Sequence, residues 1–311
     1  AIRSGIGRAN HHCEVKIEEN VVVCSSLAHY SIEHVCQYLG LRPENCMRVA
    51  SNYSSGSIDL KELKKTLLRV VEQGKKIATV IAVGGATINL VPDPVLDIKK
   101  IIDEVVQEKK LDYVPHLHVD AVITWAWLAF QDPSFNFLEC DNPRIKQKIK
   151  NVSDKVSQIT YADSFAADFH KTGFCPYAAG VFIAKKSESF LGMSPPAYFP
   201  KKNILFGELE PFRQTFENSR SALPIVSIWI AIRRMGLKGF RDFITYQLEV
   251  SDFFKTTIKK RFSEHFEILN ECSNGWEIVL KPHFTGYKSW SYLQESSTEE
   301  QDDYVNACYD F

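Results

Sequence analysis

The sequence predicts an α/β fold: a large domain on a mainly parallel sheet, followed by a smaller α+β domain at the C-terminal end. Two observations carry the first half. Between residues 20 and 186, short apolar runs alternate with amphipathic segments of helical period. The apolar runs are near-continuous, as strands covered on both faces are, and strand–helix alternation of this kind builds parallel sheets. The second half rests on a change of character beyond about residue 211, where long helical stretches and one strand pair replace the alternation. These observations divide the chain into a large domain over 1–210 and a small domain over 211–311.

The elements follow in order. Val21, Val22, Val23 and Cys24 read as a buried strand, and 31–39 has apolar residues at helical spacing that stop at Gly40. In 59–73, Leu60, Leu63, Leu67 and Val70 line one helical face; Asp59 pairs with Glu62 as a cap and Gly74 ends the helix. A strand over 77–83 comes next. Asp93-Pro94 then opens a helix through Ile98, Ile102 and Val105, with the proline in its first turn. Strands are expected over 113–119, 158–161 and 179–184, and a polar helical insertion over 131–155. Further on, 223–235 is apolar almost all round, which predicts a buried helix ending at Gly236. A long amphipathic helix over 240–262 and a strand pair turning at Ser273-Asn274-Gly275 complete the small domain.

Composition narrows the function. With 37 Lys and Arg against 38 Asp and Glu, the formal charge is −1, which provides no basic field for nucleic acid or an anionic membrane. Residues 77–91 are apolar, but too short and glycine-broken to span a bilayer. The eight cysteines are scattered with no Cys-x-x-Cys pair, which fits reduced thiols in a cytoplasmic protein. His11-His12-Cys13 has no further ligand at usable spacing, so no metal site is expected. The chain opens without methionine and closes on Tyr309-Asp310-Phe311 after an acidic stretch, which predicts a fragment.

In parallel sheets, ligands gather at the carboxyl ends of strands. Gly84, Asp120 and the segment from Ser164 to Lys171 all follow strands and are expected to converge there. Lys171 follows His170 at the end of one apolar run, while His118-Val119-Asp120-Ala121 ends another with a carboxylate. A lysine able to form a Schiff base and a carboxylate for a ring nitrogen are what pyridoxal 5'-phosphate requires of a protein.

Several motifs in order carry a resemblance to a known family. They are Ala28-His29-Tyr30-Ser31, Gly85-Ala86-Thr87 before Asp93-Pro94, His118-Val119-Asp120-Ala121, Asp163-Ser164 through His170-Lys171, and Ser219-Arg220-Ser221. From about residue 20 to 280 the chain resembles the pyridoxal-phosphate-dependent group II amino-acid decarboxylases, which include the aromatic amino-acid and glutamate decarboxylases. The resemblance implies a large domain of the fold-type-I PLP-dependent transferase kind. It also implies decarboxylation of an L-amino acid to the amine, and a homodimer with its active site at the interface.

Residue by residue, the resemblance makes Lys171 the cofactor lysine, activated by desolvation and neighbouring charge. Asp120 is then the partner of the pyridine nitrogen, and His29 the imidazole stacked on the ring. Val122 stands where the family has a small residue against the other ring face. Thr87, His170 and Ser164 match positions near the cofactor, and Asp168 fills a position held by asparagine or aspartate. Tyr198, beside Ser194-Pro195-Pro196, matches a mobile-loop tyrosine that returns a proton to the α-carbon. Residues 1–10 resemble the helix after the family's phosphate cradle, so the cradle is expected upstream of residue 1. Two other readings stay open: another reaction of the same cofactor, such as transamination, and a non-catalytic remnant. The amino-acid substrate is not identified.

Overall fold

The computed structural model describes residues 1–11, 15–52, 55–136, 142–186, 189, 221–271, 273–283 and 296–310. Six strands form the main sheet: β1 (Asn20–Ser25), β2 (Cys46–Val49), β3 (Lys76–Val83), β4 (His116–Asp120), β5 (Ser164–Asp168) and β6 (Gly180–Ala184). Their order is β2-β1-β3-β4-β5-β6. All neighbouring pairs run parallel except β5 and β6.

Alternation along the strands divides the core into two layers. Val21, Val23, Val80, Ala82, Leu117 and Val119 pack under α3 (Leu60–Glu72) and α4 (Val95–Lys109). Val22, Cys24, Ile81 and Val83 face the other way, under α1 (Ile2–Ala9) and α2 (Ser31–Tyr38). The period of two thus gives helices on both faces. Helix α1 lies very close to β3: a Cβ on Gly5 would sit 2.1 Å from Thr79 Oγ1 and 2.2 Å from the Ala78 carbonyl oxygen. Only glycine admits that approach.

Several local expectations are corrected by tertiary bonds. The Asp59 carboxylate caps α3 by accepting the Lys61 and Glu62 N–H groups. Glu62 does not reciprocate, because the Asp59 N–H already donates to the Ala50 carbonyl. Asp93 is a buried brace rather than part of a helix start. It accepts the N–H groups of Ile58 at 2.7 Å and Val83 at 2.8 Å, and Pro94 stands one position ahead of α4. The strand expected over 113–119 starts only at His116, since Tyr113 turns its hydroxyl to accept the Ile77 N–H at 2.9 Å. The strand expected over 158–161 is a 3-10 helix, Ser157–Tyr161, whose Gln158 Oε1 accepts the Leu96 N–H at the start of α4.

The expected polar insertion contains a core helix. In α5 (Pro143–Val156), Ile145, Ile149, Val152 and Val156 are buried, and the Asn142 side chain caps its first turn. These residues share one apolar cluster with Trp127, Phe240, Ile244 and Leu248. Phe240, Ile244 and Leu248 belong to α7 (Leu223–Arg261), which is interrupted at Gly236 by a non-helical φ of 58° and ψ of −178°. A four-residue helix, α6 (Phe169–Thr172), precedes it.

Before Gly236 the expectation of burial fails. Leu223, Ile225 and Trp229 are 60%, 72% and 62% exposed. A helix apolar all round needs a neighbour on every side, and among the described residues this half of α7 has one only where Ile228 and Ala231 pack against Phe169, Cys175 and Ala179. The strand pair expected near the C-terminal end is short, β7 (Phe266–Ile268) against β8 (Leu280–Pro282), and α8 (Thr298–Asp310) follows. No helix among the described residues is long and apolar enough to cross a membrane.

Candidate active site

The carboxyl ends of β3, β4 and β5 meet in one place. Val83 pairs with Asp120, and Asp120 with Ala166, so the strand ends lie almost level. Beyond them the backbones touch. The Gly84 N–H donates to the Asp120 carbonyl at 2.7 Å, and a Cβ on Gly84 would lie 2.7 Å from Ala121 Cα. Glycine is what lets these two loops close. The segment after Asp120 ties the neighbouring strands together. Thr124 donates through its hydroxyl to the Gly84 carbonyl at 2.6 Å, and Trp125 through its indole N–H to the Asp168 carbonyl at 3.1 Å. Trp125 also lies against Phe169, with ring centres 4.0 Å apart.

Asp120 is the electrostatic centre of this end of the sheet. Burial pushes its carboxyl above the usual carboxylate range. The Val122 N–H, Lys171 and His29 pull it back, and Asp168 adds to the rise. Among the described residues its carboxylate accepts one hydrogen bond, from the Val122 N–H, and that bond is long at 3.4 Å. A desolvated carboxylate with so weak a donor is an acceptor still open to a stronger one.

Lys171 lies on α6, directly beyond β5. It is exposed, and its amine has no hydrogen bond or ion pair among the described residues. The expected desolvation of this lysine is therefore not supplied by its described neighbours. The residues before it are held firmly. The Asp168 carboxylate caps α6 by accepting the His170 N–H at 3.1 Å, and the same oxygen lies 2.5 Å from His170 Nδ1. The His170 ring stacks on Tyr177 at 3.7 Å.

His29 occupies the turn between β1 and α2. Its Nδ1 accepts the Ser31 N–H at 3.2 Å and lies 2.9 Å from the Ser31 hydroxyl, while Tyr30 packs on the ring at 4.2 Å. With Nδ1 accepting, the neutral ring carries its proton on Nε2.

The structure thus brings Lys171, Asp120, His29, His170 and Asp168 to one end of the sheet. Thr87 stands exposed on the turn after Gly84-Gly85, and Val122 is half-buried beside the carboxylate it donates to. Ser164 is a correction. It opens β5 instead of following it, and its hydroxyl is buried 2.7 Å from His116 Nε2 and 2.8 Å from His118 Nδ1. Four residues of strand, about 13 Å, separate it from Asp168. Tyr198 lies outside the described residues. Nothing in the sequence marks Thr124 or Tyr177 as part of this end of the sheet; for Trp125 the signal is the Trp125-Ala126-Trp127 pair so soon after Asp120.

Chemically, a weakly bonded carboxylate, an amine with no partner among the described residues and a planar imidazole form a set suited to a flat aromatic aldehyde with a basic ring nitrogen. Pyridoxal 5'-phosphate has that chemistry.

Comparisons with known proteins agree. A family model described as the pyridoxal-dependent decarboxylase conserved domain matches residues 8–279. The chain is 22% identical over 270 residues to an L-2,4-diaminobutyrate decarboxylase of Acinetobacter baumannii, covering 85% of this chain and 44% of that protein. A probable L-aspartate decarboxylase of Pyrococcus abyssi is 27% identical over 149 residues, 48% of this chain and 34% of that one. The chain therefore spans less than half the length of these two curated relatives. Among solved structures, mouse CSAD superposes with a TM-score of 0.71 at 16% identity, over 98% of this chain and 58% of that one. At such identity the likeness is one of fold.

Proposed function

The chain belongs to the pyridoxal-dependent decarboxylase family, and from that premise we propose that it acts as a carboxy-lyase, converting an L-amino acid to its amine and CO2 with pyridoxal 5'-phosphate at Lys171. The observation that supports this most is the placement of His29, Asp120 and Lys171 just beyond or at the carboxyl ends of β1, β4 and β5, close enough for the histidine and the lysine to act on the buried carboxylate. When bound, the cofactor supplies a cationic ring that accepts the electron pair left by CO2.

The chain's own residues have separable tasks in this reading. Lys171 Nζ is the amine that would hold the aldehyde. Asp120 would keep a proton on the pyridine nitrogen; a carboxylate in a desolvated setting does this better than one in water. His29 would pack on one ring face and Val122 on the other. The Asp168–His170 pair holds α6 and so sets where the lysine stands, with Thr87 on the neighbouring turn. Proton return to the α-carbon falls to Tyr198 or to Lys171.

Purified protein supplied with the cofactor is expected to release CO2 and the matching amine from at least one member of an L-amino-acid panel. Keto-acid production without CO2 would overturn the assignment in favour of transamination.

The functional unit in this reading is a homodimer with its site at the interface. Leu223, Ile225, Trp229, Ile230 and Ile232 support it, being 46–72% exposed on the first half of α7, an apolar surface unsuited to water. Trp229→Glu is expected to lower the sedimentation coefficient to that of a monomer, and unchanged sedimentation would argue against this surface. Free thiols at Cys24, Cys36, Cys46 and Cys175 fit a cytoplasmic location, which cell fractionation tests.

A further inference from the structure

Arg48 lies on the edge strand β2, paired in register with Cys24 of β1. Nothing in its sequence context marks it. Yet its guanidinium is almost fully committed to one short stretch of chain. Nη1 donates to the carbonyl oxygens of Ser25 at 3.3 Å, Ser26 at 3.0 Å and Ala28 at 2.7 Å. Nη2 donates to Glu33 Oε2 at 2.7 Å, and Nε to Glu33 Oε1. The acceptors bracket His29: Ser25, Ser26 and Ala28 lead into it, and Glu33 stands on the first turn of the helix that follows. A fork of this kind fixes direction as well as distance, which a lysine ammonium cannot do.

The ring itself is held from the other side. Ser31 occupies Nδ1 through both its N–H and its hydroxyl, and Tyr30 packs against the ring with centres 4.2 Å apart. Nε2 has no hydrogen bond among the described residues and is the ring nitrogen available to a ligand. The backbone behind the imidazole is therefore anchored by Arg48, and the ring in front by Ser31.

We propose that Arg48, paired with Glu33, is a positioning residue for His29: the clamp sets the turn between β1 and α2 and, through it, the placement of the imidazole over the Asp120–Lys171 end of the sheet. The inference rests on the decarboxylase reading for what His29 does, and on the hydrogen bonds alone for how His29 is held. Small misplacements of a group that orients a reactant cost on the order of a hundredfold in rate.

A double-mutant cycle on the purified protein tests it. Arg48→Met and His29→Ala are each expected to lower kcat about tenfold to hundredfold. The visible absorbance of cofactor bound at Lys171 should persist in both. The double variant should be no slower than His29→Ala alone, because the clamp acts through the residue already removed. Multiplying effects would overturn the proposal and leave Arg48 as a general support of the fold. If Arg48→Met does not fold, Glu33→Gln enters the same cycle with the same expected and contrary outcomes. Wild-type protein with neither visible band nor CO2 release would defeat the decarboxylase reading instead. The clamp is then judged by imidazole NMR of 15N-histidine-labelled protein. His29 resonances that move in the clamp variant support it, and an unchanged His29 spectrum rejects it.

Discussion

Lys171→Ala is expected to abolish turnover, by on the order of a thousandfold or more, while leaving the fold intact. The two halves of this expectation have separate physical sources. Lys171 is exposed on a four-residue helix and bonds no described neighbour, so truncating it removes no buried contact. Surface substitutions of that kind stay within about 0.5 kcal/mol. Its amine is nonetheless the one primary amine among the described residues of the candidate site, and so the group suited to form a Schiff base with an aldehyde. The visible band of lysine-bound cofactor should vanish in the variant, and the thermal midpoint should not move. Persistence of the band would mean that another amine holds the cofactor, and a large fall in midpoint would mean that Lys171 carries a structural load.

The second large effect concerns stability and acid. His116 is buried with Nε2 at 2.7 Å from the Ser164 hydroxyl, and burial pushes its imidazole down to about 3. His118, on the same hydroxyl, is lowered well below its ordinary value, chiefly by burial. In the unfolded chain these rings titrate near 6.5, an ordinary value of about that size for histidine. Below that pH the unfolded state binds a proton that the folded state refuses, so stability falls as pH falls, by up to about 1.4 kcal/mol per unit for each ring.

For His116 the loss runs until about pH 3, where the folded ring protonates as well. Two carboxylates oppose it. Burial pushes Asp93 up to about 6 and Glu277 up to about 7, so the folded state takes up their protons first and gains stability as pH falls from 7 towards 4. The wild-type curve is thereby flattened, and only a difference measurement isolates the imidazole. His116→Gln, which keeps a group able to bond Ser164, should cost stability at pH 7. That deficit should shrink by about 2 kcal/mol between pH 6.5 and 5. Denaturant midpoints of the two proteins that move in parallel with pH would show that His116 is not held neutral by the fold.

Both expectations turn on residues that look alike in the sequence. Ser164 and Lys171 sit seven positions apart in one motif, and the resemblance puts both near the cofactor. The structure gives them opposite settings, since β5 begins at the serine and ends before the lysine. A strand carries its residues along its length, so neighbours in a motif can stand a full strand apart. Asp120 ends its strand, as its sequence pattern predicts, and that is where a parallel sheet must present its loops. Arg48 had no local signal at all. Its importance lies in three backbone carbonyls and one carboxylate that meet only when β1, β2 and α2 are assembled.

The same division runs through the fold. Period and composition alone determined the alternating strands and helices, the parallel sheet with both faces covered, and the chemical types gathered at its carboxyl edge. These follow from side-chain spacing and apolar content, which are local properties. Only tertiary structure decided that Gln158 and Tyr113 serve as hydrogen-bond partners rather than strand residues, and that Asp93 is a buried brace. It also decided that the apolar start of α7 faces outward. Each of these depends on which distant backbone group needs a partner or which distant surface provides cover, and no window of sequence contains that information.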